Sequence, residues 1–351
     1  MAGERVHYHG IDFLRALSCL AIISMHIKAN TEYHITGFLY ETFVSSWTQL
    51  VYLFLMISGF AMCCGYYEKV RSGKVDFNTF YGKRYKKTLP FFAFLLLIAI
   101  VMERSPETFM EAAAESTLMF GLLPNNELGT IGVSWTLGVI FLFYFLFPFI
   151  VFLTYTRKRA VLVFGGSLVM NYLCVYYFFT EKFVIPEFSF RHSFIYCLPY
   201  FLGGVLIYLY RDKLRSLVSS HRILSFSAML ICIIAYYIIP DEIGEISLFT
   251  PKNLLVSTVI LIYAIGAEGK LSNNKAVAYL SAISMEMYLC QMILFRGAEK
   301  LHLLYIAGDG WVSFILCNII VIAMIIIFCA GFRFGWDWLE KKILPKLKQE
   351  K

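Results

Sequence analysis

Charge is what this chain has least of. Only 16% of its 351 residues are Asp, Glu, Lys or Arg, against about 25% in a soluble domain. With 59% hydrophobic and 17% aromatic residues and a mean hydropathy of +0.67, that shortage excludes a chain bathed mostly in water. Paired cysteines are also missing. Cys19, Cys63, Cys64, Cys174, Cys197, Cys232, Cys290, Cys317 and Cys329 all fall inside apolar runs and none forms a C-x-x-C pair, so they read as small apolar fillers rather than zinc or redox ligands, and no metal is expected. There is no internal repeat, low-complexity tract or flexible linker, which points to one domain over residues 1–351. The first apolar run contains Asp12 and Arg15 and lacks a small-x-small cleavage signature, so it reads as a retained span rather than a signal peptide.

What is present is a succession of apolar stretches: Ile11–Ala29, Trp47–Tyr67, Thr88–Met102, Trp135–Tyr155, Ala160–Phe179, Ser193–Tyr210, Ile223–Ile239, Asn253–Ala267, Val277–Phe295 and Val312–Phe332. Most approach the ~20 residues that a helix needs to cross ~30 Å of hydrocarbon. The Thr88 and Asn253 runs are short, and one of them is a candidate for a re-entrant segment. The formal net charge of +7 does not signal a nucleic-acid partner, because the basic residues sit in clusters between apolar runs.

Alternate loops carry those clusters: Lys69 to Lys87, Arg157 to Arg159, Arg211 to Arg222, Lys270 with Lys275, and the tail from Lys341. The intervening loops are acid-rich, with Glu103, Glu107, Glu111, Glu115 and Glu127, then Glu181 and Glu187, then Asp241, Glu242 and Glu245. Positive residues concentrate on cytoplasmic loops. Ten spans with both termini cytoplasmic satisfy every loop at once, so the expectation is an all-α polytopic transmembrane helix bundle of about ten spans in a plasma or inner membrane, surrounded by lipid. The longest external segment, Glu103–Ser134, has a short helix around Glu111–Glu115 and a turn at Pro124-Asn125-Asn126. It is placed to cap the outer mouth of the bundle.

Ionisable groups in hydrocarbon are costly and mark function by default. The first span holds Asp12, Arg15 and His26. Eleven residues separate Arg15 from His26, which returns to within ~20° of one helix face and rises ~16 Å; Asp12 falls on that face too. Arginine's planar fork suits phosphate, and histidine's pKa of ~6.5 suits proton transfer. A ligand with phosphates at one end and a reactive group on a long arm fits such a stripe, and coenzyme A thioesters have that shape. The plainer readings are an interfacial Asp12–Arg15 salt pair that snorkels to the headgroups and a His26 that only bonds a neighbouring helix.

Further along, Val75–Pro90 mixes basic and aromatic residues. On a helix, Arg84 and Lys87 share a face, as do Lys83 and Lys87, giving a cluster suited to a polyphosphate or, more simply, to a positive-inside anchor. Glu286 sits midway along the ninth span and needs a partner, with His26 or Arg15 as candidates; a structural polar contact is the alternative. Trp135 reads as a belt aromatic, and His34, His192 and His302 as solvated loop histidines.

The segment Ile11-Asp-Phe-Leu-Arg15 followed by His26 resembles the first-span pattern of the acyltransferase 3 family of integral membrane acyltransferases. Phe54–Phe60, ending in Ser-Gly-Phe, is similar to that family's second span, and Arg84-Tyr-Lys-Lys87-Thr-Leu-Pro90 resembles its Arg-x-x-Arg motif with lysine in the second place. Looser similarities are Trp135-Thr-Leu with Phe143-Tyr144 and Pro148, Pro199–Gly204, and Ser284 with Tyr288-Leu289. Ile140 and Phe141 stand where many members carry a glutamate, and Gln291 where many carry a histidine. The resemblance implies transfer of a short acyl group, most often acetyl, from a cytoplasmic acyl-CoA to a hydroxyl of a cell-surface or lipid-linked glycan. Arg15, Arg84, Lys87 and Lys83 would hold the acyl-CoA, while His26, with Glu286 and Asp12, would carry the chemistry. Acetyl-CoA is then a donor substrate and no permanent cofactor is expected. A transporter or flippase of a lipid-linked glycan is the competing class, although neither an inverted repeat nor matched Gly/Pro-broken spans support it.

Overall fold

The computed structural model describes residues 6–123, 128, 130–184, 188–244, 246–267 and 269–342. Each of the ten apolar runs becomes a helix. In chain order these are α1 (His9–Ala29), α2 (Leu50–Arg71), α3 (Phe77–Glu103), α5 (Trp135–Leu153), α6 (Arg157–Leu173), α7 (Phe194–Ser220), α8 (Arg222–Ile238), α9 (Phe249–Gly266), α10 (Lys275–Lys300) and α11 (Trp311–Lys342), with the shorter α4 (Pro106–Ser116) between α3 and α5. Among the described residues nine helices are long and apolar enough to cross a membrane, and α8, with 17 residues, is the tenth apolar helix. At 1.5 Å per residue it is about 25 Å long, a mismatch a bilayer absorbs by local thinning. The other strand-like feature is a hairpin of two residues a side, Glu242–Ile243 against Ile246–Ser247. The chain is a polytopic helical membrane protein. The Thr88 run is the second half of the 27-residue α3 rather than a re-entrant piece.

The residues explain their own elements. Asp76 caps α3 by accepting from the backbone N–H groups of Asn78 and Thr79 at 3.2 and 3.1 Å. These bonds and the Thr79 hydroxyl hold its carboxyl below the usual carboxylate range. Ser105 caps α4, whose first residue is Pro106, the position where a missing N–H costs nothing. Large apolar side chains point outward along the spans: Ile223 is 84% exposed, Leu162 73% and Ile327 71%. Such surfaces are stable only against lipid.

Two compact units divide the chain, Met1–Arg15 with Gln49–Ala278, and Ala16–Thr48 with Tyr279–Lys351. The first is built on the α2–α7 contact. A Cβ on Gly59 would lie 2.2 Å from the Phe201 carbonyl oxygen, and one on Gly204 would lie 2.0 Å from that of Met56. Only glycine permits that backbone approach, the usual device of packed membrane helices. Around it Phe143 stacks on Phe201 at 4.2 Å, and Tyr67 donates to the Thr154 carbonyl at 2.5 Å. In the second unit α10 and α11 meet through Cys290 and Cys329, whose sulfurs lie 3.8 Å apart. Cys19 of α1 reaches the carbonyl of Ser284 on α10 at 3.4 Å. All nine cysteines are free.

Candidate functional site

Helix α1 is unbroken from His9 to Ala29, so the single-face relation of Arg15 and His26 holds along a real helix. Asp12 is held elsewhere: its Oδ2 lies 2.6 Å from His7 Nε2, one turn before it. Arg15, at the edge of the first unit, is partly buried. Arg84, on α3, lies among aromatic faces, with its guanidinium carbon 4.8 Å from the Tyr66 ring, 5.1 Å from Tyr144 and 5.6 Å from Phe80. Its Nε is buried and makes no hydrogen bond. Lys83 and Lys87 are exposed. Lys87 lies about 60° around the helix from Arg84, and Lys83 about 100° in the same direction, so the two lysines share a face.

In the second unit His26 is partly buried and its ring makes no hydrogen bond; the polar contact nearby is Asn30, which donates to the His26 backbone carbonyl at 2.9 Å. Lys28, two residues on, is occupied by the Ser45 hydroxyl and the face of Tyr40 at 5.0 Å. The partner sought for Glu286 is Arg333 on α11, whose Nη2 donates to Glu286 Oε1 at 2.6 Å and to the Ala282 carbonyl at 2.7 Å. Glu286 Oε2 is buried and unbonded. Gln291 on α10 is 1% exposed, and neither its Oε1 nor its Nε2 has a partner.

Outside the spans, Glu115 of α4 is fully buried, and its Oε1 accepts from the Ser134 hydroxyl at 2.7 Å. Burial pushes its carboxyl up to about 7, while that bond and one to the Ile131 backbone hold it down. The next residue, Trp135, stacks on His192 at 3.8 Å with 11° between the planes. Both line a cavity of about 310 Å³ with Phe120, Phe179 and Phe188. His192 therefore packs on an aromatic face instead of standing in solvent. The turn at Pro124–Asn126 lies outside the described residues.

Sequence reasoning did not single out Tyr66 or Arg333, and it noted Tyr144 only as part of a family-like segment. An arginine just past the end of the last apolar run was the available signal for Arg333. Tyrosines alternating with basic residues were the signal for the cation cage.

Helix α1 thus carries Arg15 and His26 eleven residues apart, and Arg84 of α3 sits among three aromatic faces. Residues 8–333 match the family model described as an acyltransferase domain. The chain belongs to that family, and it is a multi-pass membrane protein of the acyltransferase class. Neither the curated proteins nor the solved structures compared with it include a match.

Proposed function

We propose that this protein transfers a short acyl group, most often acetyl, from cytoplasmic acyl-CoA to a hydroxyl of a cell-surface or lipid-linked glycan, in a plasma or inner membrane with both chain termini cytoplasmic. The observation that carries the reading is His26, a partly buried imidazole with no hydrogen-bond partner among the described residues, eleven residues beyond Arg15 on one face of α1. A structural histidine in a membrane helix bonds a neighbour; one kept free of partners is available to a substrate. Arg15 and Arg84, with Lys87 at the rim, bind the donor's phosphates, since guanidinium forks pair with phosphate oxygens and Arg84 keeps an unbonded N–H. His26 takes the proton of the acceptor hydroxyl, or carries the acyl group transiently. Asp12 and Glu286 are engaged by His7 and Arg333, which fits them to positioning and not to proton transfer.

Membership of an acyltransferase family weighs against the flippase reading. The test is release of free thiol from acetyl-CoA by purified protein, wild type against His26→Ala, together with the mass of cell-surface glycans with and without the gene. Loss of activity in the folded variant, and loss of an acetyl-sized increment from the glycan, is the expected result. Undiminished activity in His26→Ala refutes the role.

A further inference from the structure

Gln291 is the most anomalous polar side chain in the second unit. A carboxamide has two donor hydrogens and two acceptor lone pairs, and leaving a buried polar group unbonded costs on the order of 1–3 kcal/mol. Here all of that capacity is unused at 1% exposure. Such a group is either a defect of the fold or is satisfied by something that arrives later.

Its place in the fold decides between these. The bond from Cys19 to the Ser284 carbonyl, at 3.4 Å, fixes which levels of α1 and α10 lie side by side. The chain just past the end of α1 meets the chain just past the end of α10, with the Tyr33 hydroxyl donating to the Leu304 carbonyl at 2.5 Å and the His34 N–H to the Asp309 carbonyl at 2.8 Å, so the two helices run in the same direction. His26 is seven residues beyond Cys19, and Gln291 is seven residues beyond Ser284. Seven residues make almost two full turns and a rise of ~10 Å. His26 and Gln291 therefore come to one level, each on the face turned to the other helix. Glu286 falls about 140° away around α10, on the side where Arg333 holds it. Helix spacing thus places two polar side chains without hydrogen-bond partners among the described residues at one level on adjoining faces of α1 and α10.

We infer that the Gln291 carboxamide binds the acyl carbonyl of the donor, its Nε2–H donating to the oxygen that becomes negative as the bond to the acceptor forms. This rests on the reading of His26 given above. The acceptor hydroxyl loses its proton to His26 and its oxygen adds to the thioester carbon. The carbonyl π pair moves onto oxygen, where Gln291 meets it, and on collapse the C–S bond breaks. The thiolate leaves with the proton held by His26, so an ester and a free thiol are the products. A donor fixed in advance at a developing oxyanion needs no reorganisation when the charge appears, and an apolar surround strengthens its bond.

The test uses full-length protein in detergent with acetyl-CoA as probe and thiol release as readout, for Gln291→Met, Gln291→Glu and Gln291→His. Met keeps the volume and removes the amide; Glu keeps the shape and removes the N–H donor; His restores a donor. Met and Glu are expected to lower kcat by roughly 10²–10³-fold while KM for acetyl-CoA stays within about twofold, and His recovers at least about a tenth of wild-type kcat. The thermal midpoint of Gln291→Met should equal or exceed that of wild type, because an unmet buried amide has been removed. A Met variant that folds and keeps its kcat, or one that loses stability because the amide was structural, overturns the inference. Gln291→Glu serves the same purpose should Met fail to fold. If His26→Ala is inactive while the Gln291 variants are not, only the role of Gln291 falls. If His26→Ala keeps wild-type activity, the reading of His26 falls first.

Discussion

The surroundings of Arg84 and those of His26 are built on opposite terms. Arg84 is sheltered: three aromatic faces lie within 5.6 Å of its guanidinium, and cation–π contact of this kind is worth ~0.5–2 kcal/mol without any ligand. His26 and Gln291 have no such cover and make no side-chain hydrogen bond. The contrast teaches that a charge at the water-facing end of a span can be housed by the protein itself. Deeper in the bundle, on the function proposed above, the groups left unsatisfied are the ones a substrate would meet.

That contrast can be broken experimentally. The largest effect is expected from His26→Ala: acyl transfer falls by ~10²–10⁴-fold, while the thermal midpoint of the purified protein stays at the wild-type value because the ring bonds nothing. A large loss of stability instead would make His26 structural.

Glu115 extends the comparison to a segment outside the spans, as a buried group that does have a partner. Its folded pKa of about 7 lies above the ordinary 4.5, so the folded state holds the proton more tightly than the unfolded chain. Its contribution is complete below pH ~4.5 and is lost as pH rises through 7, by at most about 3 kcal/mol. Thermal unfolding should show the protein less stable at pH 8 than at pH 5, with Glu115→Gln flattening that difference.

Arg84→Ala should raise KM for acetyl-CoA about ten- to a hundredfold with little change in kcat, as expected when a charge-assisted bond to the donor is lost equally from ground and transition states. A drop in kcat alone would move Arg84 from donor binding to chemistry. The smallest effect is expected at Glu286. Glu286→Gln weakens the bond to Arg333, which is 36% exposed, and should cost on the order of 1 kcal/mol in stability with activity retained. A loss of activity equal to that of His26→Ala would return Glu286 to the catalytic group.

Much of the fold was legible. All ten apolar runs are helices, the Asp76 and Ser105 caps lie where polar residues precede apolar periodicity, and the segment around Glu111–Glu115 is helical. The site was legible only along single helices. Arg15 and His26 share α1, and Arg84 and Lys87 share α3, so their spacing could be read from the chain. Glu286 was expected to meet His26 or Arg15, or else to make a structural polar contact, and its partner is Arg333. Its rotational position on α10, toward α11 and Arg333, was not visible. His192 was misjudged for a related reason: its stacking on Trp135 joins positions 57 residues apart.

The sequence alone determined that the ten apolar runs are helices of a polytopic membrane bundle, nine of them among the described residues long enough to cross a membrane, because hydropathy and backbone satisfaction are sums over neighbouring residues and need no knowledge of what lies alongside. The tertiary structure decided which side chains meet: Tyr66 and Tyr144 around Arg84, Arg333 on Glu286, and His192 on Trp135. Those meetings depend on the rotation and register of one helix against another. Apolar packing between many distant residues sets both.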